Sequence, residues 1–321
     1  MKRQLIGAVS AIALGLAATT VSAADKVNVG TPNWVGAQAV ATLIKILVEE
    51  KLGGEANLVS GTNATIWQAM DRGKGDIQVH PDVWLPNQQN FADKYVKERG
   101  TVILSENHYD GQQGFCVSTE FQKKTGITSI YDLTRPDVAA QLDNDGNGKG
   151  EIWIGAQGWA STNVNHIKVR DYGLLSFMEP IKAEETVNMA RVADRISKGE
   201  GVALYCYSPH ATMAMFDLYR LEEPAHDPAK YKVVQPTDDP QWFEKSKVET
   251  GDAPREVQIA YSKDLVESAP RIAELLSRIA LDADTMSDWS QKIINQKRQE
   301  ADVVKEWIEA NPDRVDSWLG L

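Results

Sequence analysis

The chain has 321 residues, and its 45 Asp and Glu outnumber its 34 Lys and Arg, which gives a formal net charge of −11. A negative surface repels phosphate backbones and anionic headgroups, so the composition argues against a protein that binds nucleic acid or anionic lipid. The sign of the charge suits a cationic small molecule, although many exported proteins are simply acidic.

The first 24 residues have the pattern of a secretory signal peptide. Lys2 and Arg3 precede an apolar run, and the small residues around Ala23 and Ala24 are those that a signal peptidase accepts. The run is shorter than the roughly 20 residues that a membrane span needs. We therefore expect residues 1–24 to be cleaved and the mature chain to be exported, most simply into a bacterial periplasm. Cleavage changes the formal charge from −11 to −13.

Strand-like and helix-like segments alternate after residue 24. The first group is KVNVGTPNW (strand), VGAQAVATLIKILVEEKLG (helix), EANLVSG (strand), TNATIWQAMDRGKG (helix), DIQVHPDVW (strand and loop), NQQNFADKYVKERG (helix) and TVILSE (strand). The second group is GQQGFCVSTEF (strand), GEIWIGAQGW (strand and loop), ASTNVNHIKVRDYGL and MARVADRISKGEG (helices) and VALYCYSPH (strand). The C-terminal part shows helical spacing. This alternation predicts an α/β fold with a mostly parallel sheet.

The length of the mature chain favours two domains. About 297 residues remain after residue 24, more than one small core normally accommodates. We expect a first lobe made of residues 25–111 and 225–321, and a second lobe made of residues 112–224.

Four large aromatic residues share one position in the local pattern, where a strand gives way to a loop or a helix start. They are Trp34, Trp84, Trp159 and Tyr207. Because ligands bind at the carboxyl ends of strands in open α/β sheets, these four rings can line one cleft. Their faces attract a cation and their area buries methyl groups, which predicts a ligand with a methylated cationic head. The alternative is four ordinary core or rim aromatics, as we expect for Trp67, Trp289 and Trp307.

The segment DIQVHPDVWLPN carries one of these rings. It begins like a buried strand, and we expect it to become a loop that Pro81 and Pro86 hold stiff. The indole of Trp84 would then be preorganised as one wall of the cleft.

A zwitterionic ligand also needs donors for its anionic end. The helix starts after Trp34 and Trp159 present unpaired backbone N–H groups, near Gly36 and Ala160 respectively. Ser161 adds a hydroxyl. His210 can donate to a carboxylate, or it can cap or pack instead.

The segment DNDGNGKGE resembles part of a calcium-binding loop. Oxygen-bearing groups recur at alternate positions, and the intervening glycines allow a tight curl. The alternative is a solvated Asn/Asp/Gly turn that needs no ion. The candidate ligands of a structural calcium ion are Asp143, Asp145, Asn147, the carbonyl of Lys149, and Glu151.

The two cysteines, Cys116 and Cys206, each lie in an apolar strand-like run. We therefore expect two buried free thiols. The alternative is a disulfide, which an oxidising compartment permits.

The sequence offers no catalytic residues that can be singled out. GxSxG, P-loop, HExxH and CxxC motifs are absent, and the five histidines are scattered. We expect a binding protein and no enzyme. An exported enzyme acting on a choline-like substrate is the rival, with Asp82 or His210 as the only visible general bases.

The chain resembles the substrate-binding proteins of glycine betaine/choline/proline-type ABC transporters over nearly its whole mature length. The likeness lies in NVGTPNWVGAQAVATLI, GDIQVHPDVWLPN, GEIWIGAQGWAST and ALYCYSPHATMAMFDLYRLEEP. In the last segment the family commonly has tryptophan where this chain has Tyr207. The resemblance implies a two-lobed periplasmic-binding-protein fold, with helices flanking the sheets and a hinge that closes the lobes over an aromatic box.

The same resemblance implies the ligand and partners. The ligand would be a small zwitterionic or cationic onium compound, of the glycine betaine or dimethylsulfoniopropionate type, with choline or trimethylamine N-oxide as alternatives. The partner would be an ABC permease in the inner membrane. We expect a monomer that requires no cofactor and binds no nucleic acid. A sensor with no transport partner is a further alternative.

Overall fold

The computed structural model describes residues 25–321, so the expected signal peptide lies outside the described residues. The strands are β1 Lys26–Thr31, β2 Glu55–Ser60, β3 Val79–Leu85, β4 Val102–Ser118, β5 Gly150–Gly155, β6 Met178–Lys182, β7 Ala203–Ser208, β8 Leu218–Arg220, β9 Tyr231–Lys232, β10 Lys247–Val248 and β11 Arg255–Ser262. The α-helices are α1 Val35–Ile46, α2 Asn63–Arg72, α3 Gln89–Phe91, α4 Thr119–Thr125, α5 Pro136–Leu142, α6 Ala160–Asp171, α7 Glu185–Ser197, α8 Thr212–Met215, α9 Trp242–Lys245, α10 Leu265–Ser268, α11 Pro270–Arg278, α12 Ala283–Ser290, α13 Glu300–Ala310 and α14 Pro312–Leu319. Short π or 3₁₀ helices span Leu47–Lys51, Ala92–Glu98, Ile130–Thr134, Leu174–Ser176, Pro228–Lys230 and Gln291–Asn295.

Nine of the strands given above form one continuous sheet in the order β2-β1-β3-β11-β4-β7-β5-β6, with β8 beside β4, and β9 and β10 pair with each other in a separate antiparallel ribbon. Both outer parts are parallel: β1 pairs with β2 and β3, and β5 pairs with β6 and β7. The middle is antiparallel, because β11 and β4 run against their neighbours. The α/β fold with flanking helices that the sequence predicted is confirmed.

Strand β4 connects the two halves of this sheet. The sequence predicted two separate strands here, but Val102–Ser118 is a single strand of 17 residues. Its residues up to Gly111 pair with β11, and its residues from Gln112 pair with β7. We call β2, β1, β3 and β11 with their helices the first lobe, and β7, β5 and β6 with theirs the second lobe. The lobe limits at 111/112 and 224/225 stay a prediction.

Strand β11 was missed by the sequence analysis, although its pattern is clear. Val257 and Tyr261 are buried and alternate with the more exposed Glu256 and Gln258, which is the period of a strand. This strand returns the chain to the first lobe and completes the sheet between β3 and β4.

Trp67, Trp289 and Trp307, which the sequence assigns to the core, make no ring contact with Trp34, Trp84, Trp159 or Tyr207. Trp67 and Trp289 are fully buried, and Trp307 packs edge-to-face on Trp289 at 5.5 Å between ring centroids. Trp67 and Trp289 are core residues, as expected, and Trp307 is partly buried where it packs against the core.

The cysteines form a disulfide, so the expectation of two free thiols is wrong. Cys116 and Cys206 lie on the paired strands β4 and β7, and their Cα atoms are 5.8 Å apart. This separation is within the range of about 4.4–6.8 Å that a bridge requires. Because the two cysteines are separated by 90 positions in the sequence, no local pattern shows the strand pairing that brings them together.

Among residues 25–321, no helix combines the length and apolar character needed to cross a bilayer.

Candidate functional site: an aromatic pocket between the lobes

A pocket lies between the two lobes, with about 330 Å³ of space that includes its opening to solvent. It contains all four aromatic residues that the sequence singled out. Its lining residues are Trp34, Asn63, Trp84, Asn87, Gln88, Trp159, Ala160, Ser161, Tyr205 and Tyr207.

The four rings meet nearly at right angles. Trp34 and Trp159 are 5.9 Å apart at 79°, Trp159 and Tyr207 are 6.1 Å apart at 88°, and Trp84 and Tyr207 are 5.5 Å apart at 88°. Perpendicular neighbours of this kind form the corners of a box. The first lobe contributes Trp34 and Trp84, and the second lobe contributes the other two rings.

Local structure places two of these rings as the sequence predicted. Trp34 directly precedes α1, and Trp159 directly precedes α6. Neither side chain caps its helix, so the first N–H groups of these helices are not satisfied by the preceding indole residue.

Trp84 departs from the expected loop, because it lies inside strand β3 opposite Val257 of β11. Pro81 has no N–H to donate to a strand ladder, and the register between β3 and β11 shifts at this point, between Val83 and His80. The bulge accommodates the proline, and the strand continues through Trp84. Pairing with β11 therefore fixes the backbone of Trp84, which the sequence analysis had attributed to a proline-stiffened loop.

One buried carboxylate holds two walls of the box. Oδ2 of Asp82 accepts hydrogen bonds from Nε1 of Trp34 at 2.6 Å and Nε1 of Trp84 at 2.9 Å. Oδ1 accepts a hydrogen bond from the hydroxyl of Tyr109 at 2.6 Å. Burial raises the pKa of Asp82 above its ordinary value, and the three hydrogen bonds oppose that rise.

Hydrogen bonds also hold the other two rings: a first-lobe residue holds Trp159, and a residue of its own lobe holds Tyr207. Nε1 of Trp159 donates to Oδ1 of Asn33 at 2.8 Å, and Nδ2 of Asn33 donates to Glu184 at 2.9 Å. The hydroxyl of Tyr207 donates to Glu185.

Glu185 is a buried carboxylate that contacts residues of both lobes. Its Oε1 lies 3.1 Å from Nε2 of His210, and its Oε2 accepts a hydrogen bond from the backbone N–H of Val35 at 3.3 Å. Burial raises the pKa of Glu185, but His210 and the hydrogen bonds from Tyr207 and Val35 outweigh burial and hold the pKa below its ordinary value.

The structure brings Ala160 and Ser161 into the pocket wall but not the other two candidate ligand residues. Gly36 lies behind the wall, where a Cβ atom would be 3.6 Å from Asp82 and 3.7 Å from Trp34. His210 lies behind Tyr207, with its ring 4.5 Å from the tyrosine ring and its nitrogens next to Glu185 and Thr212. Pocket geometry therefore does not support direct ligand contact by Gly36 or His210.

Four lining residues were missed by the sequence analysis: Asn63, Asn87, Gln88 and Tyr205. Tyr205 had a readable signal, since it lies two residues before Tyr207 on the same face of β7. The amides had none, because their positions depend on distant partners. Asn87 exchanges hydrogen bonds with Gln113 of β4, and Gln88 accepts one from Nε1 of Trp67 at 2.7 Å.

The orientation of the Gln88 amide follows from that bond. An indole N–H can only donate, so the oxygen of the amide faces Trp67 and its NH2 group is left for other partners. Gln88 is buried and lines the pocket, so this donor is available to a ligand.

The lining residues are all uncharged, and the nearest carboxylates stand behind the rings. Such a pocket offers ring faces and hydrogen-bond donors, but no acidic or basic side chain for proton transfer at its surface. The arrangement suits reversible binding of a small polar cation or zwitterion.

The candidate calcium loop forms a network of its own hydrogen bonds. Asp143 accepts from the backbone N–H groups of Gly146 and Gly148, both at 2.9 Å, and Asn147 accepts from Lys149 at 2.9 Å. Glu151 pairs with Arg191 instead of facing Asp143. Within residues 25–321, no group of three or more His, Cys, Asp or Glu side chains is arranged to hold a metal ion. The bonds fit the alternative of an Asn/Asp/Gly turn, and calcium binding by Asp143, Asp145, Asn147, Lys149 and Glu151 stays an untested prediction.

A model of the family described as the substrate-binding domain of ABC-type glycine betaine transport systems matches residues 25–310. The chain belongs to this family. It is 23% identical over 298 residues to the glycine betaine/proline betaine-binding periplasmic protein of Salmonella typhimurium, covering 89% of this chain and 86% of that relative. The members of this family are transport-associated binding proteins, and the curated relative is periplasmic.

Solved structures show the same two-lobed fold. The glycine betaine/L-proline-binding protein of Borrelia burgdorferi superimposes with a TM-score of 0.71 at 21% identity, covering 91% of this chain and 96% of that one. An ABC-transporter choline-binding protein in complex with choline gives a TM-score of 0.70 at 17% identity and covers 92% of each chain. The family and fold predicted from the sequence are thereby confirmed.

Proposed function

We propose that this substrate-binding protein captures a methylated onium osmolyte of the glycine betaine or dimethylsulfoniopropionate type in the aromatic pocket. The observation that carries the proposal is the set of four rings, Trp34, Trp84, Trp159 and Tyr207, meeting nearly at right angles in one uncharged pocket. Each ring face attracts the cation by roughly 0.5–2 kcal/mol, and the ring area buries its methyl groups.

Donors for the anionic end of a zwitterion lie in the same pocket. The start of α6 brings the backbone and side chain of Ser161 and the backbone of Ala160 to the wall, and Gln88 adds its amide NH2 group. Helix N-termini favour anions because their N–H groups are unpaired and the helix dipole is positive there. These donors support a zwitterionic ligand.

Binding would couple to closure of the lobes. The pocket has walls from both lobes, so a ligand that contacts both stabilises the closed arrangement over the open one. We further propose that residues 1–24 direct export to the periplasm and that the closed monomer delivers its ligand to an ABC permease of the inner membrane.

The pocket gives no support to the alternative that the protein is an enzyme acting on a choline-like substrate. Both residues that sequence offered as a general base are engaged elsewhere: Asp82 accepts three hydrogen bonds, and His210 lies behind Tyr207 beside Glu185. Neither lines the pocket.

Calorimetry of the purified mature chain against a panel of solutes tests the proposal. The panel contains glycine betaine, dimethylsulfoniopropionate, choline and trimethylamine N-oxide, with proline and an unrelated sugar as controls. We expect binding of at least one onium compound with 1:1 stoichiometry and no turnover of the ligand. Binding of an unrelated solute without any onium compound would overturn it, and the ranking within the panel separates choline and amine oxide from the betaine type.

A further inference from the structure

Asp82 is a buried carboxylate without a cationic partner. It is 1% exposed, and no Lys, Arg or His side chain among residues 25–321 forms an ion pair with it. Its partners are the indole N–H groups of Trp34 and Trp84 and the hydroxyl of Tyr109. Glu185, the other carboxylate behind the box, differs in having His210 at 3.1 Å.

Asp82 lies close enough to the pocket for its charge to act on a bound ligand. Trp34 and Trp84 lie 48 and 2 residues away in sequence, yet a single oxygen, Oδ2, accepts from both. The two indoles lie between the carboxylate and the pocket, with their N–H edges toward Asp82. A charge inside the box would therefore be separated from Asp82 by little more than the width of an indole.

A buried, unpaired charge is costly, and a nearby charge of opposite sign offsets that cost. The interaction is stronger than in water because the surroundings exclude solvent. A neutral molecule of the same shape would fill the box equally well but would leave the carboxylate uncompensated.

We propose that Asp82 is a specificity-determining positioning residue, which fixes Trp34 and Trp84 and whose negative charge selects a cationic head over a neutral head of identical shape. The inference rests on the proposed function of the same pocket. It assigns the charge selectivity of the box to a residue that touches no ligand and that acts through the two rings it holds.

The substitution Asp82→Asn separates the charge from the hydrogen bonds. The amide oxygen can stay at the position of Oδ2 and accept from both indoles, while the NH2 group at the position of Oδ1 donates to the hydroxyl of Tyr109, which can accept as well as donate. The variant thus removes the charge and keeps the arrangement of the rings.

The test compares ligands that differ only in charge. Choline is paired with 3,3-dimethylbutan-1-ol, and glycine betaine with 3,3-dimethylbutanoate, in which carbon replaces the quaternary nitrogen. We expect the wild type to prefer the onium member of the pair that it binds. In Asp82→Asn we expect affinity for the onium member to fall about tenfold or more, with affinity for the carbon isostere changed by less than about threefold.

Tyr109→Phe is the matched control, because it removes one hydrogen bond to Asp82 and keeps the charge. It should weaken both members of a pair in similar proportion. If Asp82→Asn does not fold, as judged by circular dichroism, Asp82→Ser also removes the charge, but its shorter side chain loosens the rings, so only the ratio of the two affinities is compared with that of the wild type.

An unchanged preference for the cation in a folded Asp82→Asn or Asp82→Ser protein would overturn the role of Asp82, as would an equal loss for both members of the pair. Failure of the wild type to bind any onium compound would instead count against the proposed function itself. The two failures are therefore distinguishable.

Discussion

Glu185 and Val35 join the lobes directly: Oε2 of Glu185, the first residue of α7, accepts a hydrogen bond from the backbone N–H of Val35, the first residue of α1, at 3.3 Å. Two neighbouring residues also meet, since Nδ2 of Asn33 donates to Oε2 of Glu184 at 2.9 Å. Of the N–H groups at the start of α1 that the sequence suggested for a ligand anion, that of Val35 is thus bonded to a protein carboxylate. This contact joins the two lobes beside Trp34 and Tyr207.

Glu185→Ala should weaken binding of every ligand by roughly tenfold, because it removes contacts that exist only when the lobes are closed. It should also lower the melting temperature, since His210 would lose its buried partner. Calorimetry and thermal unfolding measure both effects. Asp194→Ala, which changes an exposed acid of the same helix, is the control and should alter neither. Unchanged affinity in Glu185→Ala would show that the contact does not contribute to closure.

Trp84→Ala should reduce the affinity for the best onium ligand by at least about tenfold, because the ring supplies both a cation–π face and buried area. Trp307→Ala removes a tryptophan outside the pocket that packs on Trp289 and Trp318. This control should lower the melting temperature and leave affinity unchanged. A lower melting temperature with unchanged affinity in Trp84→Ala would show that Trp84 is only a core residue.

His80 should make the stability of the protein fall on acidification. Burial lowers its pKa from an ordinary value of 6.5 to about 3, because its ring is fully enclosed beside Trp34 and Trp67, where the charged form loses its hydration. The unfolded chain takes up this proton at higher pH than the folded chain. The stabilisation is therefore complete above about pH 6.5 and is lost progressively as the pH falls toward 3.

Denaturant unfolding between pH 7 and 4 measures this dependence. His80→Gln should lower the stability at pH 7 but should flatten the decline, since glutamine takes up no proton. His108→Gln, at a half-exposed position, should reproduce the wild-type slope. A His80→Gln slope equal to that of the wild type would assign the acid sensitivity to other groups.

The disulfide between Cys116 and Cys206 should contribute substantially to stability, because it closes a loop with a sequence separation of 90 residues. Replacing both cysteines with serine should lower the free energy of unfolding by roughly 2–5 kcal/mol. Affinity should change little, because neither cysteine lines the pocket. Thiol titration of the unfolded, unreduced protein should find no free thiol, and two reactive thiols would contradict the bridge.

Several features of the fold and site were readable because they depend on neighbours in sequence. The helix starts at Val35 and Ala160 follow from the helical spacing of apolar residues and from the Gly and Pro residues that precede each helix. Each start places an aromatic residue directly before a helix. The common position of Trp34, Trp84, Trp159 and Tyr207 at strand ends was enough to predict that they share a cleft, since ligand sites in α/β sheets collect at those ends.

Errors arose where distant pairing overrides the local pattern. Pro81 suggested that β3 stops, but a register shift against β11 lets the strand continue through Trp84. Cys116 and Cys206 read as separate apolar strand residues until β4 and β7 were paired.

The sequence by itself determined the family, the alternating α/β pattern and the four rings of the box, because each is encoded within short segments. Only the tertiary structure decided what holds those rings: Asp82 beneath two indoles, and Glu185 between Tyr207 and the start of α1. Hydrogen bonds require separations near 3 Å, and the residues that make them here are up to 150 positions apart. No local pattern encodes such a separation, which depends on how the strands and helices of both lobes pack together.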